Sequence, residues 1–144
     1  MDEKEYLVSR VDDQIKWFDR KSVLNKKWHY LQSIISAFAS IMIPFLISYF
    51  SYTAFRDFVI FVLGIVAAIS IAIEKIFKFR SNWTRYRGTC ETLKREKFLY
   101  LTKAPPYDSR DFGYFVERIE NILQEENKSW KSTVQEKNQD ATGS

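Results

Sequence analysis

The residues best able to do chemistry in this chain are hydroxyls that recur along one charge-free stretch. From Trp28 to Phe55 there is no Asp, Glu, Lys or Arg. Advancing about 100° per residue, Ser33, Ser36, Ser40, Ser48 and Ser51 fall, with Ala37 and Pro44, in an arc of about 120°. Met42, Phe38, Phe45 and Ile35 take the opposite side. Hydroxyls in such a row either glue one helix to another or offer lone pairs to a passing ion. In the second case Ile43, Ile47 or Phe50 would form a hydrophobic constriction that gates by dewetting. Glu74 is the only acid in the next apolar run. It reads as an interfacial ion pair with Lys78 at i+4, or as one member of a carboxylate ring at the cytoplasmic mouth of an oligomeric pore.

No catalytic constellation competes with these. The single cysteine, Cys90, rules out an internal disulfide, and one histidine, His29, leaves no metal site within a chain. There is no glycine-rich phosphate loop and no Ser-His-Asp set. The expectation is therefore no enzyme, no catalytic residue, no cofactor and no metal. Cys90, beside Tyr86 and Leu93 in a helical pattern, reads as a small buried hydrophobe. His29, between Trp28 and Tyr30, reads as an interfacial polar residue, with a proton sensor as the sharper alternative. Glu91, Glu96, Glu117, Glu120, Glu125 and Glu126 alternate with Lys and Arg at helical spacing, as solvated faces or inter-helix ion pairs do. Arg87 and Glu91 form such a structural pair.

The elements that position the hydroxyls follow from length. A helix rises about 1.5 Å per residue, so roughly 20 residues cross a hydrocarbon layer about 30 Å thick. Two spans meet that need, at about 28–50 and 58–77, and they predict a transmembrane hairpin over 28–79. The second span reaches full length with the stems of Glu74, Lys75 and Lys78. Pro44 removes one backbone hydrogen bond near the middle of the first span. In the second, Gly64, Ala67, Ala68 and Ala72 lie on one side, where Gly64, Ala68 and Ala72 make a small-xxx-small run for close helix packing, opposite a β-branched face of Val62, Ile65, Val66, Ile69, Ile73 and Ile76. Two arrangements stay open: the serine face packs on the glycine-alanine face within one hairpin, or small faces join subunits and the serines line a wet path.

The rest of the chain is polar, since mean hydropathy is −0.30 despite the two apolar runs. Leu7, Val8, Val11, Ile15, Phe18 and Leu24 mark an amphipathic cytosolic helix within 1–27. Segment 80–130 reads as a cytosolic helical hairpin. Its first helix carries Trp83, Tyr86, Cys90, Leu93, Lys97 and Leu101 and ends at Ala104-Pro105-Pro106. Its second is capped by Asp108 or Ser109 and striped by Phe112, Phe115, Val116, Ile119, Ile122, Leu123 and Trp130. The tail 131–144 has the composition of a disordered segment. The class is thus an all-α membrane protein of about four to five helices, its hairpin flanked by N- and C-terminal amphipathic helices.

Charge sets the expected topology. Of 22 Lys and Arg, most flank the hairpin, and the loop 51–57 holds only Arg56. The positive-inside rule then puts both termini in the cytoplasm of a multi-pass inner (plasma) membrane protein. The net charge of +4 is topological, with affinity for anionic lipid, and nucleic acid is not an expected partner. The acidic N-terminus and the long first run argue against a cleaved signal peptide, so the first span is expected to remain as an anchor.

Trp17-Phe18-Asp19-Arg20-Lys21-Ser22 precedes the first span, and Trp83-x-x-Tyr86-Arg87-x-x-x-Glu91-x-x-Lys94-x-Glu96 follows the second. With the closing helix ending in acids and Trp130, this layout resembles the bacterial SLATT family over roughly Tyr6 to Trp130. The resemblance implies a two-span membrane effector of a kind proposed to form oligomeric pores and often linked to nucleotide-second-messenger defence systems, many members being fused to or neighbouring a sensor domain. Residues and resemblance together predict a cyclic homo-oligomer that conducts inorganic ions, favouring cations, with the cytosolic helices as scaffold and gate and a cytosolic regulator as a further partner. The alternative is a non-conducting membrane-anchored adaptor that docks a cytosolic partner through Tyr107, Tyr114 and the last helix.

Overall fold

The computed structural model describes residues 2–109 and 111–142, and all regular structure among them is helical. Helix α1 (Glu3–Tyr6) starts at Asp2, whose carboxylate accepts the Glu3 amide at 2.7 Å. A π-helical segment, Leu7–Asp12, leads into α2 (Asp13–Tyr49). Then come α3 (Ala54–Phe77), α4 (Phe79–Leu101) and α5 (Phe112–Thr142). The chain forms two compact units, Met1–Asp19 with Tyr86–Ser144, and Arg20–Arg85. The segments on either side of the apolar hairpin thus share one unit.

The π segment has a cause in the sequence. Leu7, Val11 and Ile15 are spaced by four, which on an α-helix drifts about 40° per step. A π turn takes more residues, so Leu7 and Val11 both reach the interior of the terminal unit. There they join Phe18, Cys90, Leu93, Phe115, Ile119 and Leu123 in one core. Each large side chain buried in this way contributes roughly 1.5–3 kcal/mol. Tyr100 stacks on Phe115 with ring centroids 4.3 Å apart, and Tyr107 meets the same ring edge-on at 5.8 Å.

Two carboxylates fasten this core. Glu120 takes a bidentate grip from Arg10 at 3.0 and 2.9 Å, and the Tyr6 hydroxyl donates to it at 3.0 Å. Glu96, only 5% exposed, accepts from Arg118 at 3.2 and 2.8 Å and from the Tyr107 hydroxyl. Burial pushes the Glu96 carboxyl up, but the Arg118 and Tyr107 hydrogen bonds outweigh it and hold it below the usual carboxylate range. The Arg10 hydrogen bond does the same for Glu120 against its burial. Burial and then the facing carboxylates push Tyr6 and Tyr107 above the ordinary phenol range. Tyr100 is pushed up to about 12 by burial and a Glu3 hydrogen bond.

Several sequence expectations change here. The α4 stripe turns inward at Glu96 and leaves Leu101 exposed; a charge can take the interior place because Arg118 neutralises it. Tyr107 is 2% exposed, so it belongs to the core and not to a docking face. The α5 cap is Asp111, whose Oδ1 accepts the Tyr114 amide at 3.2 Å, in place of Asp108 or Ser109. Phe112, Phe115, Val116, Ile119, Ile122 and Leu123 do form the inward stripe, while the side chain of Trp130 lies outside the described residues. Where composition pointed to a disordered tail, the backbone stays helical to Thr142. Glu, Gln and Lys carry high helix propensity, and extending a formed helix needs no new nucleus.

The second unit holds the apolar hairpin. Its turn is fixed by Thr53, whose Oγ1 accepts the Arg56 amide at 3.2 Å, and by Arg56, which donates to the Phe50 carbonyl at 2.9 Å. Buried and half-buried positions fall on one side of each helix: Gln32, Ser36, Ala39, Ile43 and Leu46 on α2, and Ile60, Leu63, Gly64, Ala67, Ser70 and Glu74 on α3. The remaining apolar surface is open, with only 6% of the apolar window of either helix buried. Both helices are long and apolar enough to cross a membrane, and neither is covered by the rest of the described chain.

Candidate functional site

The arc of serines is divided by the fold. Ser36 turns partly inward, while Ser33, Ser40, Ser48 and Ser51 are exposed. The Ser33 hydroxyl donates to the His29 carbonyl at 2.9 Å and that of Ser40 to the Ser36 carbonyl at 2.8 Å. Such back-bonds satisfy each hydroxyl proton and leave the oxygen lone pairs free to accept. Of the apolar candidates, Ile43 is half-buried and Ile47 and Phe50 are exposed. Gly64 is half-buried toward the hairpin interior, with Ala68 and Ala72 exposed. A stripe advancing by four drifts about 40° at each step, so the packed face of α3 passes from Gly64 to Ala67 and Ser70 instead.

The polar side chains concentrate at the end of the hairpin away from its turn, where α3 nears its C-terminus. His29, Gln32, Ser33, Ser36, Ile71, Glu74 and Lys75 line an open cleft of about 420 Å³. Gln32 also lines a smaller cavity of about 200 Å³ with Trp28, Leu31, Ile35, Ser70, Ile73 and Phe79. His29 Nδ1 lies 3.5 Å from Glu74 Oε1, close enough for ion pairing when the imidazole is protonated but long for a hydrogen bond. Nδ1 of His29, Oε2 of Glu74 and both amide atoms of Gln32 are buried, and the protein supplies none of them a hydrogen-bond partner. Buried polar atoms normally find one, and each unmade bond costs about 1–3 kcal/mol.

Backbone geometry aims Glu74. Lys78 adopts a left-handed conformation (φ 50°, ψ 44°) that ends α3, and its amide bonds to the Glu74 carbonyl at 2.8 Å. The chain then restarts as α4, and Glu74 Oε1 accepts the Arg80 amide at 3.3 Å, a carboxylate at a helix N-terminus. The expected Glu74–Lys78 pair is therefore replaced: the i+4 geometry is lost where the helix breaks. Lys75 lines the cleft but remains exposed and makes no ion pair with Glu74. Around this end Trp28 stacks on Phe79 at 6.3 Å and Phe79 on Phe77 at 5.4 Å, and Lys26 Nζ sits 5.4 Å above the Trp83 ring.

Gln32 and Ser70 are the polar members that sequence reasoning missed. The signal for Gln32 was present, since it is the only carboxamide between Trp28 and Phe55. Elsewhere, Arg87 bridges Glu91 at 2.7 Å and Asp19 at 3.1 Å on the surface, and Cys90 is buried with its thiol on the Ile15 carbonyl. Burial pushes that thiol up, away from the reactive thiolate form. No three His, Cys, Asp or Glu converge as metal ligands among the described residues.

An exposed apolar two-helix hairpin with a polar cleft at one end, in a chain that also forms a separate helical unit, defines a class of all-helical protein. Residues 13–112 match the model of DUF4231, described as a protein of unknown function, and the chain belongs to that family. His29, Gln32 and Glu74 all lie within the matched segment. No curated protein and no solved structure matches the chain.

Proposed function

We propose that this protein crosses the inner (plasma) membrane twice, with both termini cytoplasmic, and assembles as a closed homo-oligomer that conducts cations. The observation that carries the reading is the exposure of Ser33, Ser40, Ser48 and Ser51 on the single chain. Their hydroxyls are not spent on packing α2 against α3, so they remain for a partner surface or a lumen. Single-chain hairpins cannot enclose a water path, and rings are the usual closed solution for identical subunits. Ile47 and Phe50, exposed near the far end of α2, are the constriction candidates, with Ile43 turned toward the hairpin interior. The layout that resembles the SLATT family supports the same reading.

The test is ion flux through purified protein in liposomes. Ser40→Leu should abolish flux while the mass of the detergent-solubilised oligomer stays that of wild type. A wild-type monomer, or leakage indifferent to Ser40→Leu, would remove the channel. A second reading, the non-conducting anchored platform, is favoured by Phe98 and Leu101, large apolar side chains left exposed on α4. It expects a stable assembly with no flux before any substitution.

A further inference from the structure

We infer that the cleft between α2 and α3 is a binding site for a partly dehydrated monovalent cation, with the Glu74 carboxylate and the Gln32 carbonyl as its principal ligands. The inference deepens the channel reading by locating where the ion sits, and it rests on the hairpin lying in a membrane. Three facts carry it. Glu74 is the sole acid within the apolar spans 28–50 and 58–77, and its Oε2 is buried without a donor from the protein. Gln32 lines the same cleft as well as the smaller cavity, and its carbonyl oxygen, like its amide nitrogen, is buried without a partner from the protein. Ser33 and Ser36 line the wall beside them, and the Ser33 proton is committed to the His29 carbonyl, so its lone pairs face an incoming ligand as acceptors.

In hydrocarbon surroundings a lone carboxylate needs a counter-charge. The protein offers two candidates near it. His29 carries charge only when protonated, and Lys75, on the same wall, makes no ion pair with Glu74. From α4 the cleft acid receives only the Arg80 backbone amide. With one carboxylate, one carboxamide and hydroxyls, the donor set is oxygen-rich and singly charged. Such a set suits sodium or potassium; sites for doubly charged hard cations assemble more carboxylates. The volume, about 420 Å³, leaves room for retained water in the coordination shell.

The experiment uses the full chain in detergent. Its melting temperature is followed as sodium or potassium chloride replaces choline chloride at constant ionic strength, since a ligand that binds only the folded state raises stability with its concentration. Wild type should melt higher as the small cation increases. Glu74→Gln and Gln32→Met should each raise the half-saturating concentration about tenfold or more, because each removes one principal oxygen ligand. Val8→Ala, at an exposed position of the terminal unit, should titrate as wild type. Two variants on different helices guard against one of them failing to fold. A melting temperature indifferent to choline replacement, or wild-type titration by both variants, overturns the site. A cation-dependent shift in a protein that passes no ions keeps the site and removes the channel. Flux blocked by Ser40→Leu without any such shift keeps the channel and removes the site.

Discussion

Replacing Glu96 by Gln tests what holds the terminal unit together. The side chain keeps its shape and one acceptor but loses the charge that three hydrogen bonds share. A bond to a charged group is worth about 1.5–3 kcal/mol and a neutral one about 0.5–1.5, so roughly 1 kcal/mol per bond is at stake. The Tyr107 bond is buried and counts in full. Arg118 is 43% exposed, so water and salt screen its two bonds and each counts about half. Relief of carboxylate desolvation offsets part of the loss. The sum is about 1–2 kcal/mol. The assay is amide hydrogen exchange over residues 115–123 of α5 in the full-length protein, comparing variant with wild type at each pH. Near neutral pH the variant should exchange roughly 5–30 times faster, since 1.4 kcal/mol is a factor of ten. The carboxyl is held below its ordinary value of 4.5, so the wild-type advantage is full above that pH. It fades as pH falls through the lower folded-state value. Equal protection in both proteins near neutrality, or a gap that survives full acidification, would refute the charged clamp.

Three further outcomes follow from the same fold. Lys103 ends α4 in a left-handed conformation (φ 50°), with its amide on the Tyr100 carbonyl and that of Ala104 on Leu99. Lys103→Gly should raise thermal stability by about 0.5–1 kcal/mol, and a lower melting temperature would contradict the cap. The Tyr107 phenol is held above its ordinary value of 10.0 by burial and Glu96. Its stabilisation is complete below that pH and is lost as pH rises through the folded-state value, so Tyr107→Phe should flatten the alkaline limb of a pH–stability curve. Cys90 should resist a thiol reagent in the native protein and react fully on denaturation; fast native labelling would show that it is not buried.

The parts of this fold that were legible in the sequence are those where one apolar face repeats over several turns. Phe112 to Leu123 is such a case, because a 3-4 spacing with no competing charge has one burial solution. The two long apolar helices were legible by length alone. Glu96 was not, because a buried acid looks like a solvated one until Arg118 and Tyr107, 22 and 11 residues away, are seen to close on it. The Glu74–Lys78 spacing promised an ion pair, but a break at Lys78 has no glycine or proline to announce it. The cap of α5 was ambiguous because Asp108, Ser109 and Asp111 crowd one short segment. Gln32 was hidden by the serines around it: periodicity draws attention to residues that repeat, and a solitary amide does not.

The terminal unit draws its interior from segments on either side of the apolar hairpin. Val11 is enclosed by residues that leave the ribosome some eighty positions later, such as Leu93, and later still, such as Ile119. During synthesis the segment around Val11 therefore waits, its greasy side uncovered, until α4 and α5 have been made. Sequence-distant contacts of this kind slow folding and invite wrong partners in the interval. Deleting either segment removes one half of a mutual enclosure, so a nascent chain stalled before α5 exposes around Val11 what the finished protein hides.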